Sequence, residues 1–363
     1  MRIGLPREIK DGESRVALTP AGVRALVQAS HEVLFQPGLG LGVGFPDDDY
    51  LRSGATPANP WEAELVVKVK ELQPAEYAKP RRGQTVFSFQ HFGPEPPLLE
   101  AALASGAMFI AFETVGQDEG LPILSPMSAI AGRLAVQAGA WCLQKHHGGS
   151  GVLLSGIDGV APGKVVILGA GNVGANALAS ACGLGASVTV FARTGKRFGK
   201  LKALFPGAEF KDEKPETEVR EADLVIGGVL TPGQMSPKIV SRATLSRMRP
   251  GSALVDVGID QGGIAETSRM TSLTRSTYVE EGIVHYAVPN MPALVARTAT
   301  QALAAAVLPH VRAMARAGIL AALALDAGLA DGAMVWDGRI VHAGLAHDAG
   351  RPHAPLPIHA EAN

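Results

Sequence analysis

A glycine motif between an apolar strand and an alanine-rich helix constrains the fold of this chain more than any other feature. The segment Lys164-Val-Val-Ile-Leu predicts a buried strand, and it continues into Gly169-x-Gly171-x-x-Gly174. In a dinucleotide-binding turn, the first glycine permits a tight turn, the second lets the backbone approach a pyrophosphate, and the third lets helix and strand pack closely. Glycine accounts for 43 of the 363 residues, so the motif gains its meaning from the strand and helix that flank it. Together they predict a Rossmann dinucleotide-binding domain.

The start of the predicted helix is where the phosphates would bind. Unpaired N–H groups and the positive end of the helix dipole lie there, and both attract anions. We therefore predict cofactor contacts from five positions of the motif: Gly169, Gly171, Asn172, Val173 and Gly174. A glycine-rich turn that binds no ligand is the alternative interpretation of the same residues.

The end of the second predicted strand indicates which dinucleotide is bound. That strand runs from Ser187 to Phe191, and the residues after it, Ala192 and Arg193, include no acid. A site for NAD needs a carboxylate there, about 20 residues after the motif, whereas a guanidinium and a hydroxyl suit the 2′-phosphate of NADP. We predict NADP(H) as the preferred cofactor and NAD(H) as the alternative one, with contacts from Arg193, Thr194 and Arg197. A solvated basic surface is the other interpretation of these side chains.

Length, composition and charge bound the class of protein. A chain of 363 residues is long enough for about two domains, and 47% apolar with 18% charged residues is ordinary for a globular enzyme. The net charge of −1 gives no reason to expect nucleic acid or an anionic membrane as a partner. The N-terminus lacks the apolar region of a signal peptide, and the apolar run 317–325 is too short to span a bilayer. These features predict a cytoplasmic protein.

Residues that could ligate a metal are scattered along the chain. Cys142 and Cys182 are the only cysteines, and their apolar helical surroundings favour buried reduced thiols. His146 and His147 are adjacent, so they cannot face one ion from a helix, and no Cys or Glu clusters with them. We predict no metal site.

Strand and helix patterns alternate along most of the chain. Thr19 and Pro20 predict a helix start, as N-cap and first helical residue. Strands are predicted at 2–5, 32–35, 65–69, 85–89, 108–112, 224–229 and 253–257, long helices at 125–145 and 291–317, and a hairpin from 334–336 and 339–342. Such alternation predicts mainly parallel sheets that are covered on both faces.

We predict an α/β protein made of two doubly wound parallel-sheet domains with an active-site cleft between them. The part after residue 297 has no room for a separate core, so we expect it to pack on the N-terminal domain. The Rossmann domain, 128–297, would then be inserted into a substrate and catalytic domain formed by 1–127 and 298–363.

The chain resembles the alanine dehydrogenase family, which shares its fold with the NAD-binding subunit of proton-translocating transhydrogenases. The resemblance extends from Met1 to about Ala349, and six blocks carry it: Gly4-Leu-Pro-Arg-Glu-Ile-Lys, Glu13-Ser-Arg-Val-Ala-Leu-Thr-Pro, Val67-Lys-Val-Lys-Glu, Ser125-Pro-Met-Ser, Val255-Asp-Val-Gly-Ile-Asp-Gln-Gly-Gly and Val284-His-Tyr-Ala-Val-Pro-Asn-Met-Pro. It implies reversible oxidative deamination of an L-amino acid to a 2-oxo acid and ammonium, in a homohexamer.

The resemblance also implies roles for individual residues. Arg15 and Lys70 match the residues that bind the substrate, and a guanidinium can hold a carboxylate through two parallel bonds. Lys68 and Lys70 would face the same side of an alternating strand, so spacing alone does not separate them. His91 matches the acid–base residue, since imidazole exchanges protons near neutral pH. Asp260 matches a carboxylate that transfers protons or orders water and ammonia, with a turn residue as the alternative.

Further cofactor contacts are implied by the same matched blocks. They fall on Ser128, Val229, Leu230 and Asn290. The family's cofactor-selecting aspartate corresponds to Ala192, which agrees with the prediction of NADP(H). The combined prediction is an L-amino acid dehydrogenase of the alanine dehydrogenase type.

Two other functions remain open on the residues alone. Around His91, Phe89-Gln-His-Phe-Gly replaces the family's Tyr-Leu-His-Leu-Ala, which leaves an imine reductase or reductive aminase using a larger amine as one alternative. A transhydrogenase-like nucleotide-binding subunit without its own chemistry is the other. The presence of Arg15, Lys70 and His91 favours the dehydrogenase over that subunit.

Overall fold

The computed structural model of the chain describes residues 1–93, 95–116, 120–229 and 235–358, without the side chain of Lys196. Its strands are β1 (Arg2–Leu5), β2 (Glu32–Phe35), β3 (Thr56–Pro57), β4 (Leu65–Val67), β5 (Thr85–Ser88), β6 (Met108–Ala111), β7 (Lys164–Leu168), β8 (Ser187–Phe191), β9 (Glu209–Lys211), β10 (Leu224–Gly227), β11 (Ala253–Asp256), β12 (Thr277–Glu280), β13 (Ile283–Tyr286), β14 (Ala333–Trp336) and β15 (Arg339–Ile340). Its α-helices are α1 (Pro20–Gln28), α2 (Asp47–Arg52), α3 (Pro96–Ser105), α4 (Leu124–Cys142), α5 (Asn172–Gly183), α6 (Phe198–Leu204), α7 (Glu216–Glu221), α8 (Arg242–Leu245), α9 (Ala296–Ala317), α10 (Ile319–Leu325), α11 (Ala327–Ala330) and α12 (Ala343–Asp348).

The chain divides into two compact units. The first unit comprises Met1–Met127 and Ala293–Asn363, and the second unit comprises Ser128–Pro292. The second unit is therefore inserted in the sequence of the first. One boundary falls within α4, and the other lies at residue 292, whereas sequence analysis placed it at 297.

The first unit contains an eight-stranded sheet in the order β15-β14-β6-β5-β4-β1-β2-β3. The strands from β6 to β3 are parallel to their neighbours, while β14 is antiparallel to β6 and to β15. The hairpin predicted at the C-terminal end is present, and its turn residues Asp337 and Gly338 have φ values of 50° and 76°. Positive φ at both positions suits a tight hairpin turn. The C-terminal segment thus completes the sheet that the N-terminal segment begins.

The second unit contains a seven-stranded sheet in the order β12-β13-β11-β10-β7-β8-β9. All neighbours are parallel except the edge pair β12 and β13. Sequence analysis predicted mainly parallel sheets and did not identify this hairpin, whose turn at Glu281 and Gly282 also has positive φ. The β7 strand, which leads into the glycine motif, lies within the sheet and is buried over most of its length.

One segment of the described chain, Met291–Ala317, is long and apolar enough to cross a membrane by length and composition alone. A core helix of a soluble protein passes the same test. Within this segment, α9 buries residues at the spacing of a single helix face: Ala299, Thr300, Leu303, Ala304, Val307, Val311, Met314 and Ala315. That spacing is typical of an amphipathic helix packed on a core.

Candidate active site

The glycine turn of the second unit has the geometry that a dinucleotide requires. Gly169 has a φ of 111°, and a Cβ there would lie 2.7 Å from the carbonyl oxygen of Gly228. A Cβ at Gly174 would lie only 1.8 Å from the carbonyl oxygen of Gly169, so helix and strand are packed too closely for a side chain. A Cβ at Gly171 would meet no atom within 4 Å, which leaves this stretch of backbone accessible to a ligand.

The α5 helix begins directly after Gly171, which is its N-cap residue. Asn172 is exposed and Val173 is half-buried, so the first N–H groups of the helix lie at an accessible end. A twelve-residue helix presents a positive dipole end and unpaired donors there. These features fit the pyrophosphate of a dinucleotide.

Two of the other predicted cofactor contacts lie around this turn. A Cβ at Gly169 would be 3.2 Å from Cγ2 of Val229, which places the Val229 side chain beside the turn. Ser128 lies on α4, one helical turn before Gly132. A Cβ added at Gly132 would be 2.1 Å from the carbonyl oxygen of Val173. Ser128 and Gly132 share a helix face because they are four residues apart. The α4 face that carries Ser128 therefore packs against the start of α5.

Two further predicted contacts follow other strands. Asn290 lies four residues past β13 and adopts a φ of 54°. Because the carboxyl ends of parallel strands share one edge of a sheet, this position lies at the same edge as the glycine turn. Leu230, also predicted as a contact, lies outside the described residues.

The end of β8 has no carboxylate at the position that would select NAD. Ala192 is half-buried, and its N–H donates to the carbonyl oxygen of Lys211 on β9 at 3.2 Å. The three residues predicted to hold a 2′-phosphate, Arg193, Thr194 and Arg197, are all exposed. The guanidinium groups are therefore accessible from solvent at the end of the strand.

Arg15 is a buried residue of the first unit, only 2% exposed. Its Nε donates to Oε1 of Glu13 at 2.7 Å and its Nη2 to Oε2 at 2.5 Å, while Nη1 lies 3.2 Å from the Met127 sulfur. A two-bond pair of this kind fixes the plane of a guanidinium. Sequence analysis gave Glu13 no role, although it begins one of the matched blocks.

Lys70 and His91 lie in direct contact. Lys70 Nζ is 3.1 Å from Nε2 of His91 and 3.4 Å from Oε2 of Glu71. Burial lowers the pKa of Lys70, and the charges of Lys10 and Arg15 lower it further while Glu71 opposes them. Burial acts to raise the pKa of Glu71, but the charges of Lys70 and His91 and a hydrogen bond from Lys10 lower it to about 2. The cluster therefore concentrates positive charge, which suits an anionic substrate.

The His91 ring remains accessible within this cluster. It stacks on Phe89 with ring centroids 5.9 Å apart and planes inclined by 11°. Its side chain is 41% exposed, whereas the Lys70 side chain is 8% exposed. An accessible imidazole beside a buried ammonium can exchange protons with a bound molecule.

Lys68 lies in a separate buried cluster. Its Nζ is 2.7 Å from Oε2 of Glu76 and 3.6 Å from Oε2 of Glu8. The β4 strand ends at Val67, two residues before the predicted end, so strict alternation does not extend over the two lysines. The structure therefore separates the lysines, which spacing alone could not do: Lys70 meets His91, and Lys68 pairs with structural carboxylates.

Comparison with known proteins shows the family to which the chain belongs. Models of the alanine dehydrogenase/PNT N-terminal and C-terminal domains match residues 4–131 and 135–343. The alanine dehydrogenase of Halomonas elongata is 48% identical, over 96% of this chain and 97% of that protein. A solved structure of an L-alanine dehydrogenase, 46% identical, superposes with a TM-score of 0.92 over 96% of this chain and 99% of that one. The chain belongs to the alanine dehydrogenase/PNT family.

Membership of this family confirms the resemblance drawn from the six sequence blocks. A transhydrogenase from Sinorhizobium meliloti shares the fold, with a TM-score of 0.80 at 23% identity over 94% of this chain and 99% of that one. The sequence identity of this chain to the alanine dehydrogenases is high enough to show its type of activity. The chain is an amino acid dehydrogenase that uses a nicotinamide nucleotide.

Asp260 lies in the second unit, in the 3-10 turn Ile259–Gln261, and is exposed. The loop that follows is held from both sides. Asp256 Oδ2 accepts hydrogen bonds from the N–H of Ile264 at 2.7 Å and from the Ser268 hydroxyl, and Lys238 Nζ donates to the carbonyl oxygen of Gly263 at 3.0 Å. These bonds brace the loop that follows Asp260, just past the carboxyl end of β11.

The described part of the chain contains no group of three or more His, Cys, Asp or Glu side chains that could hold a metal ion. The His147 ring lies against the Trp141 ring, with centroids 3.5 Å apart and planes inclined by 32°. Cys142 is buried, and burial raises the pKa of its thiol to about 12. Cys182 is also a free thiol but is only partly buried.

Proposed function

We propose that this chain catalyses the reversible oxidative deamination of an L-amino acid, with L-alanine as the first candidate, to a 2-oxo acid and ammonium. The contact between Lys70 Nζ and His91 Nε2, at 3.1 Å, carries the proposal. It joins a cation that can hold a carboxylate or oxo oxygen to a group that can move a proton. The solved relative named L-alanine dehydrogenase, matched over nearly the whole chain, supports the choice of substrate.

Arg15 and Lys70 would orient the substrate in this proposal. Both are buried cations, and the Arg15 charge is close enough to lower the pKa of Lys70. A carboxylate bound there would offset this concentration of positive charge, in surroundings where charge-assisted bonds are strong. Orientation of the reacting groups is a large part of catalysis for such a reaction.

His91 and Asp260 would handle the protons of imine formation and hydrolysis. His91 is accessible beside Lys70, and Asp260 is an exposed carboxylate on a braced loop. When bound, the dinucleotide supplies the hydride acceptor, and this chain's residues supply binding, orientation and proton transfer. The glycine turn and the start of α5 would hold its pyrophosphate, with Ser128, Val229, Leu230 and Asn290 as further contacts.

We also propose that NADP(H) is preferred over NAD(H). Ala192 removes the carboxylate that would repel a 2′-phosphate, and Arg193 provides a cation for it at the end of β8. An exposed guanidinium that binds phosphate through two bonds favours the phosphorylated cofactor.

A panel of amino acids and 2-oxo acids, assayed with NAD and NADP in parallel, tests both proposals. We expect the highest kcat/KM for L-alanine and pyruvate with the phosphorylated cofactor. Arg193→Ala should lower kcat/KM for NADPH and leave that for NADH nearly unchanged. Lys200→Ala, which removes an equal charge from an exposed position of α6, is the control and should not alter the ratio.

Two outcomes would contradict the proposals separately. A wild-type kcat/KM that is higher for NAD than for NADP would remove the cofactor preference while leaving the reaction intact. Turnover of pyruvate with larger amines but not with ammonium would replace the dehydrogenase with an imine reductase. Ala192→Asp should reverse the preference, because it introduces charge repulsion and a ribose acceptor together.

We further propose a cytoplasmic homohexamer, as the resemblance to the family implies. Light scattering coupled to size-exclusion chromatography would give a mass of about six chains. A monomer or dimer that retained full turnover would contradict the hexamer.

A further inference from the structure

His91 adopts a backbone conformation that its side chain disfavours. Its φ is 47°, in the left-handed region, where the Cβ of an L-residue approaches the following carbonyl oxygen. A non-glycine residue holds this conformation only where its surroundings impose it. The residues that impose it determine where the imidazole points.

Glu113 is well placed to impose this conformation. β5 and β6 are parallel neighbours with Ser88 paired to Ala111, so the residues just past each strand lie side by side. The N–H of Phe112 donates to the carbonyl oxygen of Ser88 at 2.9 Å, which extends the pairing beyond β6. Glu113 follows immediately and faces the turn that carries His91.

The Glu113 carboxylate binds two successive backbone N–H groups of that turn. Gln90 N–H donates to both carboxylate oxygens, at 3.1 and 3.2 Å, and His91 N–H donates to Oε1 at 2.9 Å. Bonds to an ionised acceptor are roughly twice as strong as neutral ones. The carboxylate therefore holds two successive peptide groups, Phe89–Gln90 and Gln90–His91.

We propose that Glu113 is a positioning residue for His91. By holding these two N–H groups, Glu113 keeps the imidazole stacked on Phe89 and its Nε2 beside Lys70 Nζ. The inference rests on the proposed function, since it assumes that the position of His91 limits turnover. Glu113 acts through the backbone of its neighbour and takes no part in proton transfer.

A double-mutant cycle tests the proposal in the full-length enzyme. Glu113→Ala should lower kcat by about 10- to 100-fold, because small misplacements of a reacting group have effects of this size. Glu113→Gln keeps a carbonyl acceptor and should lose less. In the His91→Ala background, Glu113→Ala should cause almost no further loss, since residues that act as a unit are non-additive.

A merely structural role gives a different pattern. Glu113→Ala would then reduce kcat by the same factor with and without His91, and this result would overturn the proposal. The dissociation constant for NADPH should stay unchanged in all variants. Glu100→Ala, which removes a 57% exposed carboxylate of the same unit, is the matched control and should leave turnover intact.

A second readout does not depend on the catalytic role of His91. Diethyl pyrocarbonate modifies accessible imidazoles, and peptide mass spectrometry measures its rate at His91 alone. Release of the clamp should make modification of His91 faster in Glu113→Ala than in Glu100→Ala. An unchanged rate would overturn the positioning role, whereas full turnover in His91→Ala with a faster modification rate would overturn only the proposed function.

Discussion

The two units offer their ligands surfaces of different kinds. In the second unit the dinucleotide turn is made of backbone: three glycines and the N-terminus of α5. In the first unit the site contains buried cations, each paired with a carboxylate, beside the accessible imidazole of His91. Arg15 pairs with Glu13, and Lys70 pairs with Glu71.

This difference decides how each unit should respond to change. Backbone N–H groups at a helix end carry no full charge, so they need no ionic partner. The close packing around them leaves no room for added side-chain atoms at Gly174 or between the turn and a bound phosphate. Buried ions tolerate a change of shape better than the loss of a partner, because an uncompensated charge in the interior is strongly destabilising. The second unit should therefore be sensitive to added atoms, and the first to altered charge.

The largest effect should come from Gly174→Ala, with Gly171→Ala as its matched partner. A Cβ at Gly174 would lie 1.8 Å from a carbonyl oxygen, so the backbone must shift, at a cost of about 3 kcal/mol or more. Gly171→Ala meets no atom and should leave the unfolding free energy nearly unchanged while raising the dissociation constant for NADPH about tenfold or more. Thermal unfolding and titration calorimetry on both variants check this. Equal destabilisation by Gly174→Ala and Gly171→Ala would contradict the distinction between a glycine needed for packing and a glycine needed for binding.

A somewhat smaller effect should appear in the pH dependence of Glu8→Gln. Burial raises the pKa of Glu8 to about 7, although Lys68 acts to lower it. The protonated form is the one that the folded protein favours, so this contribution to stability is complete below pH 4.5 and is lost as the pH rises through about 7. The gap corresponds to roughly 3 kcal/mol. We expect the variant to gain stability relative to the wild type by up to this amount between pH 4.5 and 8.

Denaturant unfolding of both proteins across that pH range measures the difference. The carboxamide oxygen of the variant can still accept the Val69 N–H bond, which is 2.6 Å long in the wild type, and Lys68 keeps its bond to Glu76. The pH-dependent part of the stability difference therefore reports the titration of Glu8. A stability difference that stayed constant with pH would show that the Glu8 carboxyl keeps its ordinary pKa.

The smallest effect should come from Arg15→Lys, with Arg24→Lys, at an exposed position of α1, as its control. Arginine bonds Glu13 through Nε and Nη2, and an ammonium cannot reproduce that fork. Losing one charge-assisted bond costs about 1.5–3 kcal/mol, so we expect kcat/KM for amino acid and oxo acid to fall about 10- to 100-fold. The KM for NADPH should change little. Amide analogues turned over as well as acids would remove Arg15 from the site.

The glycine turn of the second unit could be predicted from the sequence. The cluster of charged side chains in the first unit could be predicted only in part. Glycine spacing is a local signal, because the positive φ of Gly169 and the close approach of Gly174 to the carbonyl oxygen of Gly169 both arise within the turn itself. The N-cap at Thr19 is equally local, and its hydroxyl does accept the N–H of Gly22 at 3.3 Å. Local geometry of this kind can be predicted from the amino-acid sequence alone.

Two other carboxylates of the first unit meet their partners only through the pairing of strands. Glu113 reaches His91 only because β5 and β6 are neighbours in the sheet, and Glu8 reaches Lys68 through the pairing of β1 with β4. Spacing left Lys68 and Lys70 equivalent, and tertiary contacts distinguish them. The edge hairpin of β12 and β13 was missed because the Glu281-Gly282 turn had not been recognised in the sequence.

The central claim is that the charged cluster of the first unit performs proton transfer while the backbone turn of the second unit binds the dinucleotide. The most direct test is to measure kcat and the NADPH dissociation constant of His91→Ala in the same preparation. The account predicts a fall in kcat of roughly 10²–10⁴, the range for a positioned proton donor or acceptor, with an unchanged dissociation constant. A variant that kept most of its turnover, or that lost turnover because it no longer bound NADPH, would contradict it.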